Sequence, residues 1–185
     1  MHLRTIACTL LLAASTLALP ACAISQMDDM KPAPSKPLLS PAATASATVG
    51  SATIGITYNA PSARGRKIMG GLVPYGRVWR TGANPATTIT TSADLHFGTL
   101  FVPAGTHTLY TLPGEKEWLL ILNKQTGQWG TEYNQAEDLG RVPMLAVPVA
   151  SPQEVMSISF EHTSPTSTEL HIRWETTDRY VKITK

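Results

Sequence analysis

The chain predicts an all-β fold, a single antiparallel β-sandwich or jelly-roll-like domain, on three observations. Hydrophobic and polar residues alternate over short runs, with Ile54, Ile56 and Tyr58 set against Thr53, Gly55 and Thr57. Leu170, Ile172 and Trp174 are set in the same way against His171, Arg173 and Glu175. A period of two sends one set to a buried face and the other to water. Roughly eight or nine such runs recur at even spacing, divided by turns such as Pro103-Ala104-Gly105 and Pro113-Gly114. Helical periodicity is confined to Asn134 to Leu139, barely one turn.

Taken in order, Thr48 to Tyr58 alternates cleanly and Ala86 to Ser92 is dense in β-branched threonine. Asp94 to Val102 reads as two short strands around a Phe97-Gly98-Thr99 turn, and Thr106 to Leu112 resumes after Pro103. Glu117 to Lys124 holds Trp118-Leu119-Leu120-Ile121-Leu122, an unbroken apolar run that suits a strand covered on both faces. Strands follow at Val142 to Val149, Glu154 to His162, Glu169 to Glu175 and Arg179 to Ile183. The expected core includes Ile54, Ile56, Leu109, Leu120, Leu122, Ile158, Phe160, Ile172 and Trp174.

Ahead of this body, Met-His-Leu-Arg precedes an apolar run from Thr5 to Leu19 and then small residues. That is the pattern of a secretory signal peptide over 1–21, and it is too short to cross a membrane. Leu19-Pro20-Ala21-Cys22 resembles a bacterial lipoprotein box, in which the Cys22 thiol takes the lipid. Ordinary cleavage after Ala23 is the alternative. Residues 22–47, with Pro32, Pro34, Pro37 and Pro41, read as a flexible Pro/Ala-rich tether, and 48–185 as the β-sandwich domain. The expected location is the bacterial periplasm or outer surface, with the membrane engaged through a lipid anchor only.

Cys8 and Cys22 are the two cysteines, so the folded body has no disulfide to rely on. The chain has 15 Lys and Arg against 13 Asp and Glu, and loss of Arg4 with the leader leaves 14 against 13. So small an excess argues against nucleic-acid binding.

The charge is concentrated instead. Between Arg64 and Asn84 lie Arg64, Arg66, Lys67, Arg77 and Arg80, five glycines, Tyr75 and Trp79. No Asp or Glu occurs from Met30 to Ala93. Guanidinium forks, backbone amides and a stacking ring can converge on an anion or a sugar in such a loop. Candidate ligand-binding residues are Arg64, Arg66, Arg77, Trp79, Arg80, Asn84 and Trp129, the last held between Gly127 and Gly130. The competing role for the arginines is to pair with acids such as Glu117 or Glu169, or with loop carbonyls.

Tyr58-Asn59-Ala60-Pro61-Ser62-Ala63-Arg64-Gly65-Arg66-Lys67, Gly71-Leu72-Val73-Pro74-Tyr75-Gly76 and Val78-Trp79-Arg80-Thr81-Gly82-Ala83-Asn84 resemble the DUF2911 family of exported bacterial proteins. The likeness continues through Val102-Pro103-Ala104-Gly105-Thr106, Leu122-Asn123-Lys124 and Gln128-Trp129-Gly130 to Glu169-Leu170-His171-Ile172-Arg173-Trp174. The resemblance covers nearly the whole folded part and implies no particular reaction. Pro85 departs from it, standing where an acidic residue is expected after Gly-Ala-Asn.

Catalytic signals are sparse. Ser62 and Ser92 lack a nucleophile elbow, and Glu115 and Glu117 sit at a solvated hairpin corner. His96, His107, His162 and His171 show no metal spacing, so neither a metal nor a cofactor is expected. The favoured expectation is a non-enzymatic envelope module that binds an anionic or carbohydrate ligand or another envelope protein. The alternative is a hydrolase acting on envelope or extracellular carbohydrate, using Arg66, Arg80, Asn84 and a distant carboxylate.

Overall fold

The computed structural model describes residues 39–185, and the leader, Cys22 and most of the expected tether lie outside them. Strands β1 (Ala42–Val49), β2 (Ala52–Asn59), β3 (Thr87–Thr91), β4 (Leu95–Phe97) and β5 (Leu100–Val102) come first. They are followed by β6 (Gly105–Pro113), β7 (Trp118–Asn123), β8 (Asp138–Ala146), β9 (Gln153–Glu161), β10 (Ser167–Glu175) and β11 (Thr177–Thr184). A 3₁₀ turn, Gln135–Glu137, stands where the helical stretch was expected. No helix among the described residues is long and apolar enough to cross a membrane.

All eleven strands join one antiparallel sheet, ordered β1-β2-β3-β6-β7-β8-β11-β10-β9, with β4 on β11 and β5 on β4. The outermost strands β1 and β9 return to touch each other, so the sheet nearly closes as a barrel. The two layers of the expected sandwich are thus halves of one sheet. Closure is completed by hydrogen bonds across the seam. Ala63 N donates to Glu154 O at 2.8 Å, Met156 N to Pro61 O at 2.9 Å, and Ile158 N to the Tyr58 hydroxyl at 3.1 Å. Unpaired edge groups are satisfied there without a further strand.

Inside, the alternating residues do what their period dictates. Ile54, Ile56, Leu109, Leu120, Leu122, Ile158, Ile172 and Trp174 are all buried in one cluster with Trp118 and Phe97. Each such side chain contributes about 1.5–3 kcal/mol by leaving water. Phe160 is a correction to the expected core: it packs against this cluster but is only partly buried, because β9 is the outermost strand of its half. β7 is covered on both faces as expected, with Ile121 in a second small cluster beside Tyr110 and Ala86.

The folded body begins earlier than the expected tether boundary. Ala42–Val49 pairs with β2 along its whole length, and a turn at Gly50 and Ser51 divides the run expected to be one strand from Thr48. The sequence Ala-Ala-Thr-Ala-Ser-Ala-Thr-Val alternates only small side chains, so β1 carries almost no hydrophobic contrast.

Candidate functional site

Adjacent strands β2 and β3 are joined by residues 60–86, a connection far longer than a hairpin needs. It is an ordered strap. Ala60, Ala63, Ile68, Val73 and Ala83 are buried, and Ile68 and Val73 enter the main core. Pro61 to Ala63 line the seam with β9, while Trp79 forms a bridge with Thr111 of β6, Trp79 N donating to Thr111 O at 2.8 Å. Gly70, at φ 72, seats the Tyr75 ring, whose nearest atom would lie 2.7 Å from an added Cβ. Only glycine combines that left-handed backbone with that contact.

The cations of the strap do not pair with acids. Among the described residues, none of Arg64, Arg66, Lys67, Arg77 and Arg80 makes a salt bridge. Glu169 is engaged by His162 instead, and Glu117 is exposed. Two arginines hold carbonyls. Arg64 donates to Leu39 O at 2.7 Å, and Arg66 donates to Ala63 O at 3.0 Å and Ser62 O at 2.7 Å. Glu154 meets the strap through the Arg64 backbone N–H at 2.8 Å rather than through a guanidinium. Arg77 is exposed.

Arg80 is different. Its Nε is buried and has no hydrogen-bond partner among the described residues, and burial pushes its pKa down from the usual arginine range. An unpartnered buried guanidinium N–H is costly, and such groups are rare. The next residue, Thr81, is fully buried at φ 53, a left-handed conformation that a β-branched residue seldom adopts. It is held there by its hydroxyl, 3.1 Å from that of Thr111, and by the Thr87 hydroxyl donating to Thr81 O at 2.9 Å. Strain of this kind collects where a side chain must be aimed.

Above Arg80 lies the loop between β7 and β8. Gln128 anchors it from below, donating to the Tyr110 hydroxyl at 2.9 Å, which donates in turn to Glu132 O at 2.9 Å. Gly130 N donates to Asn84 O at 3.2 Å, and Trp129 pairs with Pro85. Arg80, Asn84 and Trp129 therefore meet at one corner. Asn84 takes φ 61 to make the turn, and Trp129 is 51% exposed, so its ring is available to a ligand.

Trp79 is more deeply engaged. It stacks on Trp174 at 5.9 Å, meets Trp118 edge-on at 6.4 Å, and donates from Nε1 to Gly82 O at 3.1 Å. Even so, it lines a cleft of about 240 Å³ with Arg66, Leu72, Arg80, Ala83 and Trp174. Among the described residues, no carboxylate or imidazole borders that cleft. A roomier hollow of about 450 Å³ lies on the other side of Arg66, but there Glu154 and Glu175 face Arg66 and Lys67 and offset them. Of these two hollows, the smaller carries uncompensated positive charge beside aromatic walls. It brings Arg66, Trp79 and Arg80 together, whereas Arg64 and Arg77 line neither hollow.

Two contributors escaped the sequence reading. Glu154 ties the strap to β9 from far along the chain, and nothing local marks it. Gly130 gives Arg80 its place, and its only sequence signal is its position beside Trp129.

These features describe a small antiparallel β domain with a cationic, aromatic cleft under a long strap. The chain belongs to the family described as Protein of unknown function (DUF2911), which matches residues 40–183. No curated protein and no solved structure matches it significantly.

Proposed function

We propose that the domain is a binding module that takes an anionic sugar or a comparable ring bearing a carboxylate, phosphate or sulfate in the cleft of Arg66, Trp79 and Arg80. The observation that carries this reading is the cleft lining: Arg66 and Arg80 stand beside Trp79 and Trp174, with no acid among the described lining residues. An anionic group would be met there by the two guanidinium groups, and the indole walls suit the apolar face of a ring. The space fits one such ring rather than a chain. The lack of a carboxylate or imidazole supports binding over acid–base hydrolysis at this place. The leader pattern and the lipoprotein-like box at Cys22 support action at the bacterial envelope, with the domain exported and lipid-anchored.

A structural role is favoured by one observation, the close seating of Gly130 on the Arg80 stem. Arg80→Lys separates the two readings. Lys keeps the charge but not the fork. Under the binding reading its melting temperature stays near the parent's, within about 0.5 kcal/mol of stability, because no hydrogen bond of Nε is lost. The thermal shift produced by anionic sugars falls about tenfold in ligand potency. A mutant that melts far below the parent, with no ligand moving either curve, identifies the strap as scaffolding.

A further inference from the structure

On the outer face of the β9–β10 hairpin, His162, Glu169 and His171 present ligand atoms within 4.8 Å of one another. We propose that they form a binding site for a first-row divalent metal ion of the zinc class, with the carboxylate of Glu161 beside them. Strand register brings them together. Glu169 lies opposite Glu161, His171 stands two residues further along β10, and His162 follows the end of β9. Ligands paired across a hairpin leave no compact motif in the sequence, so the histidine spacing pointed to no metal.

His171 is the centre of the argument. Its side chain is 2% exposed, and its Nδ1 lies 2.9 Å from Oδ1 of Asp178, itself 2% exposed. Arg173 Nε donates to Oδ2 of the same carboxylate at 2.5 Å, which leaves Oδ1 to accept the Nδ1–H of His171. With Nδ1–H on Asp178, the other ring nitrogen, Nε2, faces Glu169 Oε2 at 3.4 Å and Glu161 Oε2 at 3.9 Å. A ring nitrogen aimed at two carboxylates is favourable only with positive charge between them, either a proton on Nε2 or a metal ion.

Distance favours the ion. A charge-assisted N–H···O contact closes to about 2.7–2.9 Å. A tetrahedral ion with bonds of about 2.1 Å keeps its ligand atoms about 3.4 Å apart. The spacing between His171 and Glu169 is the second of these. His162 Nδ1 is now 2.7 Å from Glu169 Oε2, so it would draw back by about 0.7 Å to admit an ion of that bond length. Its side chain is 75% exposed and free to do so.

The surroundings are those of a metal-bound imidazole. A buried carboxylate on the far nitrogen orients the ring and sets its tautomer. Tyr180 stacks on it at 5.0 Å with planes 10° apart. Arg173 braces both Asp178 and Glu161. Two imidazoles with carboxylates suit zinc and its neighbours, whereas calcium and magnesium require oxygen ligands throughout.

The test is calorimetric titration of untagged, chelator-stripped, full-length protein with zinc chloride, with cobalt chloride followed by visible absorption to report coordination. One ion per chain is expected. His162→Ala and Glu169→Gln should each weaken zinc binding at least about tenfold, and Asp178→Asn about 10–100-fold through loss of ring orientation. His162 is exposed, so its variant keeps the fold, and circular dichroism verifies this for all three. Absence of saturable zinc binding in the parent overturns the proposal. So does equal affinity of the parent and the folded His162→Ala and Glu169→Gln variants, which would leave the cluster an ion-pair network. None of these residues lines the Arg80 cleft, so the two sites stand or fall separately.

Discussion

A Cβ added to Gly130 would stand 1.9 Å from Arg80 Cδ and 2.6 Å from Asn84 O. The Arg80 stem could swing aside, but Asn84 O is backbone and accepts the Gly130 N–H, so the loop itself has to lift. Gly130→Ala should therefore destabilise the protein by about 1–3 kcal/mol, the cost of an overpacked site, in urea unfolding. A loss under about 0.5 kcal/mol would show that Arg80 is not wedged against the loop. At this scale the sequence reading named Arg66, Trp79 and Arg80, which line one cleft, and missed their partners. The absence of acids across 64–84 was visible, and with it the possibility of unpaired arginines. That Arg66 would satisfy itself on Ala63 and Ser62 while Arg80 would not depends on turns whose handedness is set by contacts from elsewhere.

The β7–β8 connection shows how one element holds the cleft in place. Tyr133 donates its hydroxyl to Asp138 at 2.7 Å, and Arg141 donates to both, at 2.7 Å to Tyr133 and 2.9 Å to Asp138. Burial first, then the hydrogen bond to Asp138, pushes the Tyr133 pKa from 10.0 up to about 12. Folding thus favours the neutral phenol. The unfolded chain releases its proton first as pH passes 10, so stability is level below that point and declines between about 10 and 12. The side chain is only partly buried, so solvent screening keeps the effect modest. Melting temperature against pH should fall more steeply over this window in the parent than in Tyr133→Phe, and identical curves would contradict the assignment. Strand elements were readable wherever large and polar residues alternated, as in β2 and β10. β1 was not, because a strand of alanine, serine and threonine resembles a linker until its hydrogen bonds to β2 are known.

For the whole molecule, the nearly closed sheet limits exposed strand edges: among the described residues, Pro61 to Ala63 fill the seam along β9. What precedes the domain bears on where it acts. Leu19-Pro20-Ala21-Cys22 leads to the expectation that Cys22 is the mature, lipidated N-terminus. Intact-mass analysis of protein from a bacterial envelope should find the diacylglycerol adduct on Cys22. An unmodified terminus at Ile24 would instead assign cleavage after Ala23 and a freely exported domain.

Fold class followed from the order of residues alone, because a period of two in burial is a local property of an extended chain and needs no distant partner to be seen. The family followed equally, through strings such as Val78-Trp79-Arg80-Thr81-Gly82-Ala83-Asn84 that survive as linear text. Tertiary structure decided everything that depends on pairing across distance. It set which arginine lacks an acceptor, brought Gly130 onto Arg80, and closed the sheet through Glu154. It also turned His171 toward Glu169 with Asp178 behind it. Hydrogen bonds and charges act over a few ångströms of space, and the chain crosses that space many residues apart.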